Sequence, residues 1–142
     1  MNILIVEDNE SKLNNIIDLV VDMNCDYTIS KSYQSAYQLV TNKIFDWIIL
    51  DMTLPESDED KSPLVTLAGL DLVEQMDFDD LHIPTVILTG YDRFGRYDDF
   101  VSLNELRHEL SADFPEIVKD VVYYNGYSED WKIIIKSILG EK

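Results

Sequence analysis

Three carboxylates stand where short apolar runs end. Ile3-Leu4-Ile5-Val6 is followed by Glu7 and Asp8, and Trp47-Ile48-Ile49-Leu50 by Asp51. If the two runs lie side by side the acids meet, and each pair of like charges about 4 Å apart costs about 4 kcal/mol at an effective dielectric of about 20. Protonation relieves that cost, and so does a hard divalent cation. Mg²⁺ suits one or two carboxylates plus carbonyl and water oxygens, and it shares its shell readily with phosphate. A carboxylate beside such a cation is a competent nucleophile toward phosphorus, because the metal neutralises the oxygens of an in-line transition state. The competing reading is that Glu7 and Asp8 merely solvate a loop. Most acids must do so in a chain with 28 Asp and Glu, 11 Lys and Arg and a net charge of −17.

The elements that must position these acids alternate along the chain. After Ile3–Val6, the residues Leu13, Ile16, Ile17, Val20 and Val21 recur at helical spacing, one stripe of an amphipathic helix. Tyr27 to Ile29 reads as a weaker strand. Tyr33, Ala36, Tyr37 and Val40 mark a second helix, with Ser32 as its cap. Trp47–Leu50 is apolar throughout, as a central parallel strand covered on both faces is, and Thr85–Leu88 reads as another buried strand. Leu70, Val73 and Met76 suggest a third helix, and Leu103, Leu106 and Leu110 another. Val118 to Tyr124 is a fifth strand. A last helix carries Trp131, Ile134, Ile135, Ile138 and Leu139 behind a Ser128 cap. Strands interleaved with helices predict a parallel α/β sheet with right-handed crossovers and helices on both faces. Functional groups then gather at the carboxyl ends of the strands.

Composition removes several classes. A chain of 142 residues fits one domain of ordinary size, 46% hydrophobic and 27% charged. Its acidity repels phosphate backbones and anionic lipid, so neither nucleic acid nor membrane is expected as a partner. No apolar run reaches the ~20 residues of a membrane span. Met1 leads directly into apolar residues without a basic n-region, and the single Cys25 excludes an intrachain disulfide. A cytoplasmic location is the expectation. Cys25 itself reads as a small hydrophobe, and His82 and His108 lack partners at ligand spacing and read as surface residues.

Four motifs in register resemble the receiver domains of two-component response regulators. They are Ile3-Leu4-Ile5-Val6-Glu7-Asp8-Asn9, Trp47-Ile48-Ile49-Leu50-Asp51-Met52-Thr53-Leu54-Pro55, Gly69-Leu70-Asp71-Leu72 and Pro84-Thr85-Val86-Ile87-Leu88-Thr89-Gly90. The resemblance implies a flavodoxin-like, doubly wound sheet of five parallel strands in the order 2-1-3-4-5. It implies one receiver-like domain over residues 1–142, with insertions at about 55–66 and about 91–116. Asp51 would accept a phosphoryl group from a histidine kinase or phosphotransfer protein. Mg²⁺ would be held by Glu7, Asp8, Asp51 and the backbone carbonyl of Thr53, and the hydroxyl of Thr89 would bond the phosphoryl group. With no room for an output domain, the consequence would pass to a downstream protein. Beyond self-phosphorylation and its reversal, no enzymatic activity is expected. Asp51-Met52-Thr53 also resembles the start of an aspartate-nucleophile phosphohydrolase motif, but its second acid is missing.

Two departures accompany the match. The family has a lysine after the fifth strand that pairs with a phosphoryl oxygen; here the stretch reads Tyr123-Tyr124-Asn125-Gly126, and Asn125 or Tyr124 fills the slot. Lys119 stands at the wrong end of that strand and Lys132 is already in the last helix. A charge-assisted hydrogen bond is worth about 1.5–3 kcal/mol, against the roughly 5.5 kcal/mol needed to drive a two-state element from one side to the other. Asn125 would donate without charge, and Arg93 or Arg96, folded back, would restore it; the plainer expectation leaves both arginines in solvent. The intervals from Asp51 to Gly69 and from Thr89 to Asn125 are also longer than usual, and both flank the site. The alternative function is therefore a phosphorylation-independent pseudo-receiver acting as a protein-interaction module. Trp47 is expected to lie near enough to report metal binding. Side chains of Glu7, Asp8 and Asp51 pointing apart, or a salt link or apolar plug filling the space between them, would leave the signalling reading without a foundation.

Overall fold

The computed structural model describes residues 1–55, 57–58, 67–90, 93–96 and 99–140, with only the backbone described for 93–96 and 99–101. Strands and helices alternate as the pattern requires: β1 (Asn2–Val6), α1 (Glu10–Asp22), β2 (Asp26–Ser30), α2 (Tyr33–Asn42), β3 (Trp47–Leu50), α3 (Ala68–Phe78) and β4 (Thr85–Thr89). There follow β5 (Arg93–Arg96), β6 (Asp99–Ser102), α4 (Leu103–Asp113), β7 (Val118–Tyr123) and α5 (Asp130–Gly140). The main sheet is parallel in the order β2-β1-β3-β4-β7, the flavodoxin-like arrangement expected, with β7 as its fifth strand.

Strand alternation divides the apolar residues between two cores. Leu4, Val6, Ile48, Leu50, Ile87 and Val121 pack with residues of α2, α3 and α4. Ile3, Ile5, Ile49, Val86, Leu88 and Val122 pack with α1 and α5 through Leu13, Ile16, Trp131 and Ile135. Because both faces are covered, a one-residue slip of any central strand would exchange the two sets and break both cores. Register is therefore firmly held, and with it the placement of whatever follows each strand.

The helical stripes are narrower than the periodicity suggested. Val21 and Ile134 fall outside the buried face and are exposed, while Leu19 is buried. Ser32 and Ser102 cap α2 and α4, accepting from the backbone N of Ser35 and Glu105, and Ser128 accepts from Asp130 N ahead of α5. The segment at about 91–116 holds α4 and, before it, an antiparallel hairpin of β5 and β6 outside the main sheet. Arg93 pairs with Ser102 and Arg96 with Asp99 in that hairpin. Most of the segment at about 55–66, including Glu56, Glu59 and Asp60 of the acidic run, lies outside the described residues. Cys25 is partly buried against the α1 core, His108 is exposed, and the half-exposed His82 sits 2.9 Å from Glu116. Among the described residues no helix is long and apolar enough to cross a membrane.

Candidate phosphoacceptor and metal site

β1 and β3 are paired with Val6 opposite Leu50, so the next residue of each, Glu7 and Asp51, emerge together at the carboxyl rim of the sheet. The ladder runs on past the strand ends: Glu7 N donates to Ser30 O and Asp51 N to Val6 O, each at 2.9 Å. Ligand oxygens of Glu7, Asp8 and Asp51 all lie within 4.8 Å of one another. Glu7 is 1% and Asp51 6% exposed, whereas Asp8 faces solvent. Thr53 lies beside the cluster, its hydroxyl 3.4 Å from Asp51 Oδ2, and the fully buried Thr89 ends the adjacent strand β4.

Gly69 holds the loop after β3. A Cβ there would sit 2.2 Å from Asp51 O and 2.8 Å from Met52 Cα, and Gly69 N donates to Met52 O at 3.0 Å. The start of α3 thus presses directly on the backbone that carries Asp51. Glycine is required for this approach.

A salt link does lie between Glu7 and Asp51, and its cation was not among the candidates. Lys12 Nζ is 2.7 Å from Glu7 Oε1 and 3.1 Å from Asp51 Oδ1, and donates to Leu88 O at 2.6 Å. The lysine is the third residue of α1 and only 7% exposed. Asn9 caps the helix by accepting from Lys12 N at 3.0 Å, which fixes the residue over the acids. Its ammonium stands over the ring of Tyr124, 5.5 Å from the centroid; Tyr124 is in turn held by Asn15 at 2.8 Å and by Trp131. Asn125, expected in the place of the family's lysine, is exposed, and its Oδ1 accepts from Tyr127 N in the turn after β7. The side chains of Arg93 and Arg96 lie outside the described residues. Trp47 is at the far end of β3 from Asp51, roughly 13 Å away by strand rise, so it is Trp131 that neighbours the site.

One cation among three acids leaves two negative charges. Glu7 Oε2 accepts from the backbone N of Asp8 and Asn9, but Oε1, although in ionic contact with Lys12, has no hydrogen bond of good geometry. Burial pushes the Glu7 carboxyl up to about 7, the Lys12 charge pulling it down and Asp51 adding to the rise. The 2.7 Å contact with Lys12 would by itself lower it, so desolvation is the larger effect here. Asp8 is raised too, by burial and then by Asp51. A cluster of hard oxygens whose three carboxylates outnumber the one lysine fits a divalent cation. Lys12 does not consume the site: it engages Oδ1 of Asp51, while among the described residues Oδ2 has only the long Thr53 contact.

No family model matches the chain. It is 35% identical over 149 residues to the Detocs response regulatory protein DtcB of Enterobacter cloacae, across 97% of this chain and 98% of that protein. The receiver domain of the Francisella response regulator 1452 matches with a TM-score of 0.67 at 20% identity, over 97% of this chain and 94% of that one. The Thermotoga maritima response regulator TrrA, solved in complex with Mg²⁺-BeF, matches with a TM-score of 0.66 at 15% identity, over 96% and 97% of the two chains. The two solved structures bear on the fold, and the extended identity to DtcB bears on descent. The chain belongs to the response regulator receiver family.

Proposed function

We propose that this protein is a stand-alone receiver in which Asp51 accepts a phosphoryl group from a histidine kinase or phosphotransfer protein. The phosphorus–nitrogen bond of the donor phosphohistidine breaks as a bond forms to an Asp51 oxygen, and the leaving imidazole keeps the electron pair. Glu7, Asp8, Asp51 and the carbonyl of Thr53 would hold Mg²⁺. When bound, that ion neutralises phosphoryl oxygens during in-line transfer. Buried β1 and β3 fix the position of Asp51, and Thr89 at the end of β4 supplies a hydroxyl for the phosphoryl group. The added charge and acceptors alter the surface offered to a downstream protein.

The observation that carries this reading is the meeting of Glu7, Asp8 and Asp51 within 4.8 Å at the sheet's carboxyl rim. The Lys12 link across Glu7 and Asp51 is the observation that favours the alternative, a pseudo-receiver that docks without phosphate. Incubation with acetyl phosphate and Mg²⁺, followed by intact mass, separates the two. The proposed function predicts one added phosphoryl group that disappears in Asp51→Asn. No adduct at tens of millimolar reagent, with the fold intact, leaves the interaction module standing.

A further inference from the structure

We propose that Lys12, in the first turn of α1, is the cation that pairs with the phosphoryl group on Asp51. It would do so in place of a lysine after the last strand of the sheet. The inference rests on Asp51 being the phosphoacceptor and adds a residue to that site.

A lysine at the third position of a helix is poorly placed on local grounds, because the helix N-terminus carries partial positive charge. Burying it adds desolvation. Both costs are offset only by what the ammonium touches: hydrogen bonds to Asp51 Oδ1 and the Leu88 carbonyl, and an ionic contact with Glu7. Those acceptors come from β1, the end of β3 and the end of β4. The ammonium therefore stands at the rim with the proposed nucleophile on one side and the strand bearing Thr89 on the other. It also stands over the Tyr124 ring, which Asn15 and Trp131 hold in turn, so the head group is directed before any ligand arrives. Rigid placement of a charge where negative charge will develop is what transfer to a carboxylate needs. The turn after β7 offers no such group: Asn125 is uncharged and exposed, and its Oδ1 accepts from Tyr127 N.

The experiment uses the full chain with Mg²⁺ and acetyl phosphate, timed by intact mass. Wild type is compared with Asp51→Asn, Lys12→Met, Lys12→Arg and the double variant Lys12→Met with Asn125→Lys. Lys12→Met is expected to be labelled at least about tenfold more slowly than wild type, the size of a lost charge-assisted hydrogen bond. Lys12→Arg keeps the charge but not the compact head group and is expected to fall between the two. The lysine placed at position 125 is expected to recover part of the rate. Because Lys12→Met removes a buried ion, ¹⁵Nζ spectra of the wild-type protein provide a reading that needs no variant. The Lys12 resonance should move when beryllofluoride binds in the presence of Mg²⁺. Labelling of folded Lys12→Met at the wild-type rate, or an unmoved resonance in a beryllofluoride-bound protein, overturns the inference and leaves Asp51 as acceptor. Absence of any adduct on wild type overturns the underlying function, and this inference with it.

Discussion

The buried Glu7 carboxyl makes stability depend on pH in a direction opposite to that of a salt-bridged acid. Its folded value, about 7, lies above the ordinary 4.5, so between those two pH values the folded chain binds more protons than the unfolded one. Stability therefore falls as pH rises through that window and levels off above it. A rise of this size corresponds to about 3 kcal/mol as an upper bound, a large share of the 5–15 kcal/mol typical of a domain. Glu7→Gln keeps the shape and an acceptor oxygen for Lys12 but removes the titration. Urea unfolding at pH 5, 6, 7 and 8 without divalent cation should show wild type losing stability across the series. The variant should show a flatter profile and be the more stable protein at pH 7.5. Millimolar Mg²⁺ should restore wild type at high pH, since a ligand bound only by the folded state stabilises it by mass action, and should do little for Glu7→Gln. Parallel pH profiles for the two proteins would refute the assignment of this cost to Glu7. A variant less stable than wild type at pH 7.5 would show that the Lys12 pair outweighs desolvation.

Two further outcomes follow from the geometry. Gly69→Ala forces a Cβ to 2.2 Å from Asp51 O, a contact that only backbone movement relieves. It should cost at least about 1–3 kcal/mol in urea unfolding and slow Asp51 labelling, and a neutral variant would contradict the packing described. Fluorescence changes on adding Mg²⁺ and beryllofluoride should come from Trp131, whose ring is 5.1 Å from that of Tyr124. Trp131→Phe should abolish them and Trp47→Phe keep them; the reverse would place the responsive group at the wrong end of the sheet.

The sheet was legible because its signals are local and redundant. The buried runs at Ile3–Val6, Trp47–Leu50 and Val86–Leu88 have no good alternative to a doubly covered strand, and the acids directly after the first two inherit the strands' register. The hairpin of β5 and β6 was not legible. It is short, it lies outside the main sheet, and its residues carry no sustained alternation that distinguishes them from a loop. Trp47 lies away from the site for a simpler reason: closeness in sequence to Asp51 is not closeness in space, since a strand carries its two ends apart.

Lys12 is not legible from the sequence slot after the last strand, because a side chain from any neighbouring element can reach the same rim. The signal was nevertheless present. A lysine in the first turn of a helix opposes the helix dipole, and here it falls three residues after an Asn cap and five after a buried acid. A local rule broken next to a cluster of carboxylates is the pattern expected at a functional site. The charge count shows why a single cation is enough. With Lys12 in place, the three acids retain two negative charges, matched by one divalent ion. Replacing the Asp51 carboxylate by an acyl phosphate adds about one more negative charge near neutral pH. A link that neutralised the acids completely would have excluded the metal. Lys12 neutralises only one charge and engages only one oxygen of Asp51, so the pocket keeps both its demand for a divalent ion and an oxygen for phosphorus.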